Sequence, residues 1–166
     1  QRQAIDTFSE DQRFTAEDIR SLHRMWLGPI YPWAGEYRSV NIGKGGFQFA
    51  GAHLIPGLMS KLERGVLARF TPCREREVAG ALAAVHAELI LIHPFRDGNG
   101  RLARLLALLM GLQAGLPPLD FSPLNGHGKK RYIAGIHAAL GRDYRPPAAV
   151  FERIIERTRK RAASSR

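Results

Sequence analysis

The sequence predicts a mostly α fold: one domain of helices carrying a single β-hairpin. Three observations lead there. Apolar residues recur at helical spacing over long stretches, as at Val78, Leu82, Val85, Leu89 and Ile92. Only one region, about residues 37–50, changes to strand-favouring residues around a glycine-rich turn. The length of 166 residues suits one domain with a core of useful size.

Each element has its own warrant. Residues 1–14 are polar and weakly patterned, and are expected to form an entry segment. Thr15-Ala16-Glu17-Asp18 offers an N-cap with acidic residues in the first turn. The helix it starts is expected to run to Trp26, with Ile19, Leu22 and Trp26 inward and Gly28-Pro29 ending it. Tyr37, Val40 and Ile42 then lead into Gly43-Lys44-Gly45-Gly46, and Phe47 and Phe49 resume the alternation, which predicts the hairpin. Taken alone, such a hairpin is a surface feature with no role. His53 to Phe70 reads as a helix with Leu54, Ile55, Leu58, Leu62 and Leu67 apolar. Thr71-Pro72 reads as an N-cap followed by Pro at the first helical position. The helix from there to Ile92 also carries Ala79, Ala83 and Ile90, so it is expected to be central and packed on most sides.

A further helix follows residue 100 and ends near Gly115, with Pro117 and Pro118 beyond. Asp120 to Gly128 reads as loop. Lys129 to Leu140 predicts a helix burying Tyr132, Ile133, Ile136 and Leu140. Pro146-Pro147 opens a last helix through Val150, Phe151, Ile154 and Ile155, and residues 157–166 form a basic tail, expected to be a solvated helix end. There is no internal repeat and no low-complexity segment.

Composition narrows the function classes. One cysteine, Cys73, excludes an internal disulfide framework and a Cys-rich zinc site. His86-Ala87-Glu88 matches half of a zinc-deaminase signature, but the Pro-Cys-x-x-Cys half is absent. His86 and Glu88 are then a hydrogen-bonded core pair or solvent-facing residues. No uncharged apolar run reaches about 18 residues, so no membrane span and no membrane partner are expected. No signal peptide is read at the start, and Gln1 rather than Met suggests a chain that begins inside a longer one. The expected location is cytoplasmic. The net charge of +10 admits nucleic acid as a partner. It is diffuse, however, divided between Lys129-Lys130-Arg131 and the tail, with no nucleic-acid-binding signature beside it. Nucleic acid is therefore not the expected partner.

The chemistry concentrates between two apolar segments, in His93-Pro94-Phe95-Arg96-Asp97-Gly98-Asn99-Gly100-Arg101-Leu102-Ala103-Arg104. The order reads as helix, tight loop, helix. Gly98 and Gly100 permit turn conformations closed to other residues, which lets successive N–H groups converge on an anion. The following helix adds unpaired N–H groups and the positive end of its dipole. Arg101 and Arg104 share one face of that helix, and Leu102, Leu105, Leu106 and Leu109 form an inward stripe. Two guanidiniums beside an amide nest suit a polyphosphate better than a single carboxylate. Asp97 is the only carboxylate of the loop, and Mg²⁺ takes one or two carboxylates with phosphate oxygens. His93 is the nearby group that titrates near neutral pH and can accept a proton. Each feature alone has a plainer reading: His93 as a helix cap, Gly98-Asn99-Gly100 as a turn, the arginines as a solvated face. Their combination at this spacing is what favours a site.

This stretch resembles the signature of the Fic family, His-x-Phe-x-(Asp/Glu)-Gly-Asn-Gly-Arg-x-x-Arg, at every specified position, and the resemblance extends from about Thr15 to Ile155. The resemblance implies a Fic domain over 15–156 and the transfer of AMP from ATP to a Ser, Thr or Tyr hydroxyl of a target protein. By that likeness His93 is the general base and Asp97 holds Mg²⁺. Gly98, Asn99 and Gly100 cradle the phosphates, Arg101 and Arg104 bind the outer ones, and Phe95 anchors the loop. The hairpin becomes the flap along which a target segment adds as a strand. Trp33 to Arg38 is its lead-in, Lys44 and Gly45 lie near the nucleotide, and Tyr132 falls where relatives line the adenine pocket, or else in the core. The relative called Doc carries Lys where this chain has Gly100 and transfers phosphate, so Gly100 favours nucleotidyl transfer. Transfer of another nucleotide or of phosphocholine, and a basic interaction module with a degenerate site, are the alternatives. Relatives include toxins and effectors delivered into host cells. Many are restrained by a glutamate in (Ser/Thr)-x-x-x-Glu-(Gly/Asn) that pairs with the second arginine, here Arg104. Thr71 to Glu75 comes nearest, but Arg76 follows. An antitoxin-like partner supplying that glutamate is the favoured expectation.

Overall fold

The computed structural model of the protein describes residues 9–164. Residues 1–8 of the expected entry segment, and residues 165 and 166, lie outside the described residues.

Helix α1 spans Ala16–Leu27 and begins with a reciprocal cap. The Asp18 N–H donates to Thr15 Oγ1 (3.1 Å), and the Thr15 N–H donates to Asp18 Oδ2 (2.8 Å). Two of the orphan N–H groups at the helix start are thereby satisfied. α1 buries Ile19, Leu22, His23 and Leu27. The expected entry segment is not wholly polar in effect, because its last residue, Phe14, is buried in the core and its N–H donates to Thr71 Oγ1.

The hairpin is shorter than predicted. Strands β1 (Gly43–Lys44) and β2 (Phe47–Gln48) pair antiparallel, Gly43 opposite Gln48 and Lys44 opposite Phe47. Gly45 and Gly46 turn the chain with φ of +58° and +82°, the double positive φ of a two-residue hairpin turn. The ladder stops early because its outer carbonyls are taken by a side chain. Arg38 donates to Val40 O (2.7 Å) and Ala50 O (2.5 Å), while the Ala50 N–H turns to Leu91 O.

Helix α2 (Ile55–Leu62) follows a 3₁₀ turn at Ala52–Leu54. A π-helical turn, Glu63–Leu67, and a last α-turn, Ala68–Phe70, extend it. Leu54, predicted apolar and inward, lies in the 3₁₀ turn and is exposed. Thr71 does not cap the next helix. It is buried at the end of this one, its hydroxyl donating to Leu67 O (2.8 Å). The Thr71–Pro72 peptide is cis. The central helix α3 starts only at Val78, after a 3₁₀ turn at Glu75–Glu77, and runs to Ile92.

α3 is buried on almost every side, and it packs against α4 (Asn99–Gln113) and α6 (Arg145–Ala163). Its long apolar face makes it the axis of the domain. Helix α5 (His127–Ala138) packs on α6. Of the four residues predicted to be buried there only Ile136 is: Tyr132 is half-buried, Ile133 is 41% exposed and Leu140 61%. Leu140 sits past the helix end in a 3₁₀ turn, and Ile133 faces the cleft described below. α6 runs unbroken through residue 157 to Ala163, so the expected basic tail is mostly helix. It is held there by buried Thr158, whose Oγ1 accepts from the Asp120 N–H (2.9 Å), and by Arg157, 3.6 Å from the Asp120 carboxylate. Among the described residues no helix is long and apolar enough to cross a membrane.

The Thr15 cap gives a direct check on the start of α1. Thr15→Ala should lower unfolding free energy by about 1 kcal/mol, read from urea titration at unchanged m-value.

Candidate active site

α3 ends on His93, and its backbone does something unusual there. His93 adopts a left-handed conformation (φ 52°, ψ 60°), while its N–H still donates to Leu89 O (3.0 Å). A non-glycine residue in this region stores about 1–3 kcal/mol of strain, and such strain is held where the surroundings over-determine it. The conformation stops α3 abruptly and sends the chain into the loop that opens α4.

Three buried groups shape the loop. Phe95 is fully buried, and the Asn99 side chain grips its backbone from both sides: the Phe95 N–H donates to Asn99 Oδ1 (2.9 Å), and Asn99 Nδ2 donates to Phe95 O (2.8 Å). His23 of α1 lies beneath. Its Nδ1 accepts from the Gly35 N–H (2.8 Å), so Nε2 carries the proton and donates to Asp97 O (3.1 Å). The His23 ring stacks on Phe95 with centroids 3.9 Å apart. Burial lowers the His23 pKa, with the Asp97 carbonyl and charge opposing, which keeps the neutral, two-way hydrogen-bonding form. Gly98 caps α4 at φ 81°, and a Cβ there would lie 3.0 Å from both Leu27 and Trp26. Gly100 is different, since a Cβ there would meet nothing within 4 Å.

Above the loop is a cleft of about 750 Å³. His93, Asp97, Gly98, Asn99, Gly100, Arg101 and Arg104 line one side. Lys44 of β1 lines the flap side, with Ile42 and Phe49, and Tyr132, Lys129 and Ile133 of α5 close the far wall. The structure thus brings together every predicted site residue except Gly45, which sits at the hairpin tip and does not line the cleft. Among the lining residues Lys44, Arg96, Arg101, Arg104 and Lys129 face Asp97 as the one carboxylate, a field suited to a polyanion.

His93 Nδ1 lies 3.0 Å from Ile90 O. A carbonyl only accepts, so Nδ1 carries the proton and Nε2 of the neutral ring has a free lone pair. Burial lowers the His93 pKa below 6.5; the Ile90 carbonyl opposes this, Arg38 and Lys44 add to it, and Asp97 opposes again. Arg101 donates to Asp97 Oδ2 (2.9 Å) and lies over the Trp26 ring, 4.6 Å from its centroid. Both partners of that ion pair are more than half exposed, so it holds them only weakly. Arg104 makes no ion pair among the described residues. The Asn99 side chain is committed to Phe95, which leaves its backbone N–H for a ligand.

Tyr132 presents its ring, not its hydroxyl. Buried His86 donates from Nδ1 to Ala103 O (3.2 Å) and accepts at Nε2 from the Tyr132 hydroxyl (2.9 Å). Burial pushes the His86 pKa down to about 4 and the Tyr132 pKa up to about 12. His86 and Glu88 are therefore not a pair: Glu88 accepts from the Tyr144 hydroxyl instead.

Two residues that matter here escaped sequence reasoning. His23 had a signal, because it stands at i+4 from Ile19 on the buried face of α1. Arg38 had none. Its side chain is 2% exposed and donates to the carbonyls of His93 (2.8 Å) and Ile92 (3.3 Å) as well as to the flap.

A helical domain with a short flap over a glycine-lined anion cleft is the fold class, and solved structures share it. The BepC protein of Bartonella tribocorum, a VirB-translocated effector with bound AMPPNP, is 25% identical with a TM-score of 0.73, covering 92% of this chain and 80% of that one. A Bartonella quintana Fic domain with bound ADP is 26% identical with a TM-score of 0.73, covering 92% and 79%. Among curated proteins, the protein adenylyltransferase Fic of Nematostella vectensis is 32% identical over 155 residues, 90% of this chain and 34% of its own length. That of Drosophila melanogaster is 37% identical over 151 residues, 87% and 28%. The chain spans about a third of the length of these curated relatives. The Fic/DOC family model matches residues 13–110, and the chain belongs to that family.

The two loop glycines should respond differently to an added methyl group. Gly98→Ala, strained and crowded, should cost about 1–3 kcal/mol in unfolding free energy. Gly100→Ala should leave the melting temperature equal or slightly higher, because Gly100 lies in α4 with no positive φ and the added methyl meets nothing within 4 Å.

Proposed function

We propose that the protein is a protein adenylyltransferase, moving AMP from ATP to a Ser, Thr or Tyr hydroxyl of a target protein. The observation that carries this reading is the His93 tautomer beside the anion cleft: Nδ1 tied to Ile90 O, Nε2 free to accept. The hydroxyl oxygen attacks the α-phosphorus, its proton passes to His93 Nε2, and the bond to pyrophosphate breaks. A base so placed contributes roughly 10²–10⁴-fold in rate. Converging N–H groups of Gly98, Asn99 and Gly100, with the start of α4, receive the phosphates, and Arg101 and Arg104 receive the outer ones. The ring of Tyr132, with Ile42 and Ile133, forms the apolar walls for the base of the nucleotide. Lys44 approaches from the flap, whose edge receives the target segment. AMPPNP and ADP bound to the Bartonella relatives support a nucleotide in this cleft.

The residues present fit Mg²⁺. Asp97 offers one exposed carboxylate in the cleft, and Mg²⁺ takes one or two carboxylates together with phosphate oxygens. Asp97 would hold it, and the ion would neutralise phosphate charge. Arg101, now paired with Asp97, would turn to the phosphates. Arg104, without an ion-pair partner among the described residues, suits either a terminal phosphate or the glutamate of an inhibitory partner protein.

Incubation of a cell lysate with the chain and α-labelled ATP, UTP or GTP tests the assignment: label on protein should come from ATP, and label from UTP alone would overturn it. His93→Ala should abolish labelling while leaving nucleotide affinity within about three-fold. Because the base acts neutral and burial lowers its pKa, the acid decline of kcat/KM should fall at lower pH than an unperturbed imidazole would give.

A further inference from the structure

Phe49 follows β2, lines the flap side of the cleft and donates its N–H to Ile42 O (3.2 Å). Its ring packs on His93. The two rings stack with centroids 3.7 Å apart and planes 14° from parallel. Phe47 meets Phe49 edge-on at 5.3 Å and lies over His137 of α5 at 4.8 Å. A row of rings thus runs from α5 across the flap to the imidazole.

The contact answers a geometric need. One hydrogen bond, Nδ1 to Ile90 O, sets the turn of the imidazole about its Cβ–Cγ bond, and a single bond of this kind is a soft restraint. The face of Phe49 packs on the ring and stiffens the same orientation. The backbone supports the same link, because Arg38 donates both to His93 O and to Ala50 O, the carbonyl adjoining Phe49. The two stacked residues are therefore tethered through one guanidinium.

We infer that Phe49 is a positioning residue for His93: its ring holds the imidazole plane so that Nε2 faces the phosphate loop. The inference rests on the reading of His93 as the base. As Nε2 takes its proton the ring becomes a cation, and an aromatic face attracts a cation, so the stack strengthens along the reaction. The flap that would receive a target segment is thereby the element that orients the base. Leucine would fill the same space without defining a plane or attracting the charge. Tyrosine keeps both properties.

The test follows pyrophosphate release from Mg²⁺-ATP by the chain, with Phe49→Leu, Phe49→Tyr and His93→Ala compared in parallel, and melting temperatures measured for each. Phe49→Leu should lower kcat by about 10-fold or more at a KM for ATP changed less than about two-fold, and Phe49→Tyr should restore kcat. Long-range ¹H–¹⁵N spectra of the imidazoles, with His93 assigned by its loss in His93→Ala, give a readout independent of turnover. The ring-current shift of the His93 protons should vanish in Phe49→Leu and persist in Phe49→Tyr. Unchanged kcat, or an unchanged His93 shift, in Phe49→Leu overturns the inference while leaving the base in place. Parallel loss of kcat and melting temperature in both Phe49 variants also overturns it, showing packing alone. Release that survives His93→Ala removes the reading of His93 itself.

Discussion

The guanidinium of Arg38 lies where the end of α3 meets both ends of the flap, and it donates to carbonyls on each. Ile92 and His93 belong to the last turn of a helix, where carbonyls have no partner further along. Val40 and Ala50 flank the hairpin. One buried cation therefore satisfies acceptors that would otherwise be stranded in the interior, and it sits at the negative end of the α3 dipole. It reinforces the tie between flap and helix end that the Ala50 N–H to Leu91 O bond and the Phe49–His93 stack also make. The short ladder, the seat of Phe49 and the direction of His93 all descend from that bond set.

The rest of the site divides its labour between buried and exposed groups. Buried Asn99 and His23, with Phe95, hold the loop from below by directional bonds and one ring stack. Each is neutral, so it contributes shape without adding charge to the cleft. The exposed groups, Asp97, Arg101 and Lys44, carry the charge and remain free to rearrange around a ligand. A rigid floor with exposed charges above it suits the nucleotide proposed for the cleft. The left-handed turn at His93 belongs to the floor, since its strain persists only because helix, flap and loop all constrain the same residue.

Legibility in the chain followed the range of the interactions involved. The Thr15 cap, α3, the loop at 93–104 and α4 were readable because their determinants lie within about four residues of one another. The Thr71-Pro72 pair misled, since Thr71 finds its partners at Leu67 and Phe14, one of them 57 residues away. The hairpin was over-extended because the side chain that ends its ladder points inward from Arg38, and nothing in its neighbours signals that. Ile133 was assigned to the core because periodicity reports an apolar face without saying whether it meets protein or a cleft.

By itself the sequence determined the helical class, the axis of the domain and the chemical content of the loop, because spacing and residue type decide which faces are apolar and which groups can bind an anion. The tertiary structure alone decided which nitrogen of His93 is free, that Tyr132 shows its ring and not its hydroxyl, and that Phe49 and Arg38 bind the flap to His93. These depend on carbonyls and rings brought together from distant parts of the chain, and hydrogen bonds and stacking act only across the few ångströms that folding closes.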